Sequence, residues 1–387
     1  MYPSIECKGQ KLWIQLLARF AKKKYMTTKI HLTTLISFFF ISSFHHLNAY
    51  FINSENDTVP LFASDEVLKF TLLVDSRELK KDNAPEPEYT DGQLILHEAT
   101  EDKTFDIKVR PRGNSRRFMD FCTFPPLKLN FKKKAVEGTV FESQDKLKLV
   151  AYCKDLDLNE TYVLKEYLVY KILNCVTPYS NNVRLAQITY KDSNDKGKDV
   201  TRYGFLVEDD DNMAERNGGQ ITESLMSNHD RCERNSLDLF TLFQFMIGNT
   251  DWWIASPKKH NVNVMVLDNG NMIPVPYDFD YCGLVDAKYA VTAEELPITS
   301  VKDRLFRGYC RLPGTYEIIA DKFNEKKGSI YSEVNNLAPL GEKDKKLIIK
   351  YLDDFYEIVN DPKLIKRKVY DACEINHAHL HSAKLNK

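Results

Sequence analysis

Carboxylate side chains concentrate at the ends of short apolar segments in the second half of the chain. Asp251 follows an apolar helix predicted over residues 237–247, and Asp278 and Asp280 follow a strand predicted over residues 272–276. Hard oxygen ligands of this kind can hold a divalent cation against phosphate groups, while a separate carboxylate faces a hydroxyl group. Asp and Asn are also ordinary loop residues, so each motif alone is a weak signal. Their order along the chain indicates metal-assisted chemistry on a phosphate.

The predicted elements between these acids would bring them together. Asn235 and Ser236 are good N-cap types for the apolar helix, and Gly248 suits its end. Residues 262–267 form a second apolar segment, which pairs through a turn at residues 268–271 with the strand that follows. The sequence therefore predicts a helix, an acidic loop, a hairpin and a second acidic loop in this order. Both loops are predicted at the same end of these elements.

A basic turn and a strand lysine in the first half of the chain are candidate phosphate ligands. Residues 110–117 combine arginine, glycine and small donors at the end of a predicted strand, and Arg112 and Asn114 lie in this turn. Guanidinium and backbone N–H groups can approach phosphate oxygens together in such turns. Lys128 lies in a strand predicted over residues 127–131, on the opposite face from its apolar neighbours. The alternatives are a solvated basic turn and a lysine that points to water.

Two glutamates, Glu166 and Glu208, lie within or at the end of predicted apolar elements. Glu166 lies in a helix predicted from the N-cap Asn159 to about residue 173, whose apolar residues cover most of its circumference. Because a buried carboxylate is costly without a partner, Lys128 is a candidate partner, and an exposed face is the alternative. Glu208 ends a strand predicted over residues 201–208 and opens an acidic run that is typical of a solvated turn.

Predicted strands dominate the first half of the chain and predicted helices the second half, which indicates an α+β arrangement of two lobes. Further strands are predicted over residues 68–74, 93–97, 105–110, 146–150 and 184–190, and further helices over residues 301–307, 316–323, 343–359 and 362–373.

The N-terminal region has the pattern of a cleaved signal peptide. A short charged head begins at Met26, an apolar run covers residues 32–44, and Ala49 offers a small residue for cleavage. The apolar run is shorter than the roughly 20 residues of a membrane span. Residues 1–25 would then be an upstream extension, and an uncleaved anchor or a buried helix is the alternative. The pattern predicts a secreted, periplasmic or cell-surface protein that meets a membrane only through this segment.

The net charge and the cysteine spacing argue against a nucleic-acid partner and a zinc site. The 387 residues have a formal net charge of −1 and a pI of about 6.8, so no nucleic-acid partner is predicted. Of the eight cysteines, Cys7 lies in the upstream extension, and the others are scattered without a CxxC pair, so no zinc site is predicted. Disulfides can form in an oxidising compartment, and the sequence leaves their pairing open.

These residues resemble the spore-coat protein H (CotH) kinase family, whose members are secreted or surface proteins with an atypical protein-kinase-like fold. A protein kinase also presents a catalytic Asp, a metal-side Asn, a hairpin and a metal-binding Asp in this order. The resemblance spans roughly residues 67–286 and covers Arg112-Gly113-Asn114-Ser115, the Pro-Leu-Lys-Leu strand at 126–129, the strand at 203–208, Gly248-Asn249-x-Asp251 and Tyr277-Asp278-Phe279-Asp280.

The resemblance implies a two-lobed protein-kinase-like fold with a β-rich N-terminal lobe and a helical C-terminal lobe. It also implies ATP-dependent and Mg²⁺- or Mn²⁺-dependent transfer of a phosphoryl group to Ser or Thr hydroxyls of a protein partner. The corresponding organisation is an extension and signal peptide (1–49), a flexible lead-in (50–66), a kinase-like domain (67–376, with lobes of about 67–208 and 209–376) and a polar tail (377–387).

By motif match, the resemblance implies Asp251 as the catalytic carboxylate and Asp278 as a metal ligand, with Asp280 as a second candidate. Asn261 would be the metal-side asparagine. Its separation from Asp251 is larger than in typical protein kinases, which leaves His260 and Asn263 as alternatives.

The resemblance further implies that Lys128 holds the phosphates of ATP, with Arg112 and Asn114 in the basic turn. Glu208 would lie beside the nucleotide where the lobes join. Arg116 and its neighbour at position 117 stand where relatives more usually have an aromatic or small polar residue, which weakens the prediction of a phosphate role for the turn.

Two other functions fit the same residues. A non-catalytic surface or coat-assembly protein could retain the fold, with Trp252 and Trp253 on its recognition surface. A metal-dependent hydrolase could use the same carboxylates on a phosphoester. The scarcity of ATP in oxidising external space argues against a kinase. The sequence makes no prediction of the oligomeric state.

Overall fold

The computed structural model describes residues 61–81, 86–113, 116, 121–222, 229–255 and 259–373. These residues belong to one compact unit that runs from Thr58 to the end of the chain. The predicted extension and signal peptide, most of the predicted lead-in, Asn114 and the predicted polar tail lie outside the described residues.

Seven of the described strands close into a barrel in the order β1-β2-β3-β4-β5-β7-β6. Neighbouring strands are antiparallel, except that β1 pairs in parallel with β6 and so closes the barrel. The strands are β1 (Leu68–Val74), β2 (Thr90–His97), β3 (Asp102–Pro111), β4 (Leu127–Phe131), β5 (Lys146–Val150), β6 (Val183–Asp192) and β7 (Val200–Val207).

A smaller sheet has the order β10-β9-β8, with β8 (Gly219–Ile221), β9 (Val262–Leu267) and β10 (Met272–Pro276). The described helices are α1 (Ser76–Lys81), α2 (Asp157–Val176), α3 (Asp210–Arg216), α4 (Arg234–Ile247), α5 (Thr315–Asn336), α6 (Glu342–Asn360) and α7 (Pro362–Ile365), which continues into a π-helical turn at Lys366–Tyr370. None of these helices is both long enough and apolar enough to cross a membrane.

Apolar alternation along the strands builds two cores. Side chains such as Leu129 and Leu149 point into the barrel, where they are fully buried. Phe205 and Val207, on the other face of β7, join a second core formed with helices α2, α4, α5 and α6. The barrel is therefore covered on this side by helices, and its remaining outer face is open to polar side chains.

The predicted two-lobed protein-kinase-like fold is wrong, although the α+β class is right. The prediction needs an open sheet in the N-terminal lobe, whereas β1 and β6 pair from Leu68 and Ala186 to Val74 and Asp192 and close the sheet into a barrel. Alternating apolar residues are equally compatible with an open sheet and a barrel, because alternation sets which face is buried and not which strand is the partner.

Several local predictions hold and others fail. Strands β4, β5, β9 and β10 have the predicted bounds. The predicted caps Asn235 and Ser236 are wrong, because Glu233 is the N-cap and its carboxylate accepts hydrogen bonds from their N–H groups. Asn159 is likewise not a cap, since α2 begins after Leu156. The helix predicted over residues 301–307 is absent from this described segment, which is irregular.

Two disulfides fix loops of the domain. Cys122 pairs with Cys153, and Cys310 pairs with Cys373. Cys175 and Cys282 are free thiols among the described cysteines. The pairing was not readable from the sequence, because it depends on which loops the barrel and the helices bring together.

Candidate functional site

Helix α4 presents Asp251 in a short, hydrogen-bonded loop. The helix ends at Gly248, whose φ of 65° lets the chain turn sharply out of it. The N–H of Asp251 donates to the Asn249 side chain at 2.9 Å, and the Asn249 side chain in turn bonds Gln244 in the helix. The position of Asp251 therefore follows from the end of α4.

The residues before β9 hold the Asp251 carboxylate. The Asn261 amide donates to Oδ2 and to the backbone oxygen of Asp251, both at 2.9 Å, and His260 Nε2 lies 3.0 Å from Oδ1. Asn261 has a φ of 52°, which is uncommon for a residue other than glycine. The Asp251 side chain remains 38 % exposed, so it is held on two sides and still open to a substrate.

The end of β10 presents the second group of acids. Asp278 has a φ of 60°, and its N–H donates to the Tyr170 hydroxyl at 3.0 Å. Its carboxylate is 38 % exposed, whereas Asp280 is buried and accepts a hydrogen bond from the Tyr289 hydroxyl at 3.0 Å. Backbone strain of this kind clusters at functional sites, where the surrounding structure enforces it.

Arg116 joins the acids of the hairpin to the acid of helix α2. Its guanidinium lies 2.7 Å from Asp278, 3.5 Å from Asp280 and 3.5 Å from Glu166. We call these four residues the Arg116 cluster. The expectation that Lys128 partners Glu166 is wrong, since Arg116 fills that position. Arg116 itself contacts both predicted metal ligands, Asp278 and Asp280.

Burial and mutual repulsion shift the pKa values of two acids in the Arg116 cluster. Burial raises the pKa of Glu166 to about 8, although Arg116 opposes the shift. Burial also raises the pKa of Asp280 to about 6, with Arg116 opposing and the charges of Asp278 and Asp251 adding to the rise. Both Asp251 and Asp278 thus lie within electrostatic reach of Asp280.

A row of cations lies on the outer face of the barrel. Arg110 on β3, Lys128 on β4 and Lys148 on β5 are direct cross-strand neighbours. Like charges in such positions destabilise a sheet. Burial lowers the pKa of Lys128, and the charges of Lys148, Arg110 and Lys146 lower it further, against the opposing effect of Asp209. The row is therefore suited to an anion.

Lys148 connects this row to the acids. Its ammonium group pairs with Asp210 and lies 5.7 Å from the centre of the Tyr277 ring, next to Asp278 in the chain. Lys148 was not among the predicted site residues. Its alternation with Leu147 and Leu149 already placed it on the outer face, but only the strand register shows that it neighbours Lys128.

The remaining predicted ligands have different surroundings. Arg112 is half-buried, its Nε has no hydrogen-bond partner among the described residues, and its charge acts on Glu166 and Tyr170. Glu208 is buried and forms an ion pair with Arg216 at 2.9 Å while accepting from the N–H of Asn182. The contacts of Glu208 are those of a structural ion pair.

The carboxylates after β10 are the candidate ligands of a metal ion. Within the described residues, no group of three or more His, Cys, Asp or Glu side chains is arranged to hold one. The carboxylates of Asp278 and Asp280 nevertheless converge on one cation, the guanidinium of Arg116. Mg²⁺ in nucleotide sites is bound by one or two carboxylates together with phosphate oxygens and water, so this pair fits that type of site.

Comparison with known proteins gives no family for this chain. No protein-family model matches the sequence, and no curated protein matches it.

Proposed function

We propose that the protein transfers a phosphoryl group from ATP to a Ser or Thr hydroxyl of a protein partner. The proposal rests on the site and not on a kinase fold. The observation on which it depends is the arrangement of opposite charges: Lys148, at one end of the cation row, lies 5.7 Å from the ring of Tyr277, the residue before Asp278. A triphosphate with a divalent cation needs cationic groups for its oxygens and carboxylates for its metal ion.

Each group has a role that follows from its contacts. Asp251 would orient the acceptor hydroxyl and take its proton, with the Asn261 amide holding the carboxylate in place. Asp278 and Asp280 would hold Mg²⁺ or Mn²⁺, which when bound neutralises the charge that develops on the phosphates. Lys128 and Lys148 would bind phosphate oxygens as point charges.

Membership of the CotH kinase family and action outside the cell belong to the same proposal. The motifs support the family, and the two disulfides support an oxidising compartment, because such bonds persist in secreted and extracytoplasmic proteins.

Thermal unfolding with and without nucleotide tests the proposal. ATP together with Mg²⁺ or Mn²⁺ should raise the melting temperature of the full chain, since a ligand at 100 times its Kd adds about 2.7 kcal/mol to the free energy of unfolding. Asp278→Asn should lose this shift and still fold, because Asn tolerates the positive φ at this position. Asp251→Asn should keep the shift.

Transfer is then measured with γ-labelled ATP and a Ser/Thr-rich protein. Asp251→Asn should lower transfer by about 100-fold or more, the size typical of a lost general base. The exposed Asp321→Asn is the control and should have no effect. Absence of both the thermal shift and the transfer in the unaltered protein would overturn the proposal. Metal-dependent release of phosphate without transfer would identify a hydrolase instead.

A further inference from the structure

Arg307 reaches the loop of Asp251 from an irregular segment more than fifty residues away in the chain. Its Nη1 donates to the carbonyl oxygens of Thr250 and Trp252, the latter at 3.2 Å. These two carbonyl groups belong to the residues on either side of Asp251. One guanidinium nitrogen therefore fixes the backbone before and after the candidate catalytic carboxylate.

Two aromatic rings hold the guanidinium in this position. The Arg307 Cζ lies 5.3 Å from the centre of the Trp252 ring and 5.9 Å from that of Trp253, which are cation–π distances. Trp252 is buried and donates its indole N–H to the backbone oxygen of Asn249. Arg307 and the indole of Trp252 thus tie successive residues of the loop to one another.

The charge of Arg307 is compensated in an unusual way. Among the described residues, no carboxylate lies within ion-pair distance of its guanidinium, and its contacts are carbonyl oxygens and aromatic faces. Burial lowers the pKa of Arg307, and the charge of Asp251 opposes this effect. An arginine remains protonated under these conditions, so a fixed positive charge lies close to Asp251.

We propose that Arg307 is a positioning residue for Asp251: it holds the Thr250–Trp252 backbone so that the carboxylate faces the acceptor hydroxyl. Asn261 and His260 hold the side chain of Asp251, Asn261 also bonds its backbone oxygen, and Arg307 holds the carbonyl groups of the residues on either side. The catalytic consequence rests on the proposed phosphoryl transfer, whereas the effect on the loop does not.

The same segment offers a matched control. Arg304 is also half-buried, donates to the backbone oxygens of Met246 and Tyr351, and stacks on the Tyr351 ring at 3.6 Å. Its contacts anchor helices α4 and α6 and do not include the Asp251 loop. Replacing Arg304 therefore removes a similar set of interactions without removing a direct bond to the residues that flank Asp251.

The experiment uses the full chain carrying Trp13→Phe, so that Trp252 and Trp253 are its tryptophans. In this background it compares Arg307→Met, Arg307→Lys and Arg304→Met with the otherwise unaltered protein. In the Arg307 variants, tryptophan emission should shift and acrylamide quenching should increase. The kcat for transfer should fall about 10- to 100-fold with KM for ATP nearly unchanged, because a misplaced catalytic group costs rate rather than binding. Arg304→Met should change the tryptophan signals and kcat less than either Arg307 variant, because it removes no bond to the residues on either side of Asp251.

The two proposals fail in different ways. If the unaltered protein transfers no phosphate, the proposed function fails, and the tryptophan signals alone decide the role of Arg307. If both Arg307 variants fold and their emission and quenching match the unaltered protein, the positioning role is overturned. Should Arg307→Met not fold, Arg307→Lys decides, since lysine keeps the charge but cannot reproduce the planar guanidinium.

Discussion

Arg116 and Asp278, which are 162 residues apart in the chain, form an ion pair with 2.7 Å between Nη2 and Oδ1. The same guanidinium reaches buried Glu166 on α2 and buried Asp280 after β10. The basic turn after β3, the helix α2 and the β9–β10 hairpin therefore meet at one side chain. Three carboxylates therefore surround one cation at this point.

We expect Arg116→Met to lower the free energy of unfolding by roughly 3–5 kcal/mol at pH 7, because it leaves the buried Asp280 carboxylate without its counter-charge. The loss should shrink toward pH 5, where protonation removes the uncompensated charge. Urea denaturation at both pH values measures the change. Arg202→Met is the control and should lose less: its partners Asp155 and Asp157 are exposed and Glu160 is only partly buried, and exposed pairs contribute at most about 1 kcal/mol each. Equal losses in the two variants would contradict the expectation.

Glu166→Gln should alter the pH dependence of stability. The folded-state pKa of about 8 exceeds the unfolded value of about 4.3, so the folded protein holds a proton that the unfolded chain releases between these limits. The contribution of Glu166 to stability is therefore complete below about pH 4 and is lost as the pH rises to 8, by at most about 1.4 kcal/mol per pH unit. Glutamine cannot titrate, so the variant should lack this fall.

Urea denaturation from pH 5 to pH 8 with EDTA present measures that difference. As the pH rises, the free energy of unfolding of the unaltered protein should fall steadily relative to that of Glu166→Gln. The exposed Glu325→Gln serves as the control for loss of a surface carboxylate. Parallel curves for Glu166→Gln and the unaltered protein would show that Glu166 ionises in the folded state as it does in the unfolded chain.

Gly248→Ala should destabilise the protein by about 2–4 kcal/mol, combining the cost of a left-handed residue with overpacking. Gly248 has a φ of 65°, and an added Cβ would lie 2.0 Å from the Tyr351 hydroxyl oxygen. Adding Tyr351→Phe should recover part of the loss. Gly270→Ala, at a φ of 84° with no atom within 4 Å of the new Cβ, isolates the backbone cost and should lose only about 1–2 kcal/mol. Thermal and urea unfolding of the four proteins provide the comparison.

Removing the Cys122–Cys153 disulfide by a double change to alanine should lower the free energy of unfolding by about 4 kcal/mol, from the loop entropy of a 31-residue separation. Cys175→Ala, at a free and half-buried thiol, is the control and should lose less. Peptide mapping without reduction should recover Cys122 linked to Cys153 and Cys310 linked to Cys373. Recovery of other pairs would show that the loops meet differently.

The spacing of apolar residues predicted much of the secondary structure but not the contacts that single side chains make with distant segments. The alternation in β4, β5, β9 and β10 gave their bounds, because alternation is a property of neighbouring residues. The apolar spacing over residues 301–307 predicted a helix, yet this segment is irregular and uses Arg304 and Arg307 to bond distant carbonyl groups. Such contacts override a short stretch of helical spacing.

The sequence alone determined the α+β class, the acidic loops after α4 and β10, and the need of Glu166 for a partner. Each of these depends on residues close together in the chain. Tertiary structure alone decided that the sheet closes into a barrel, that Arg116 is that partner, and that Lys148 stands beside Lys128. Strand partners and register depend on the packing of distant segments, and apolar alternation permits many such pairings.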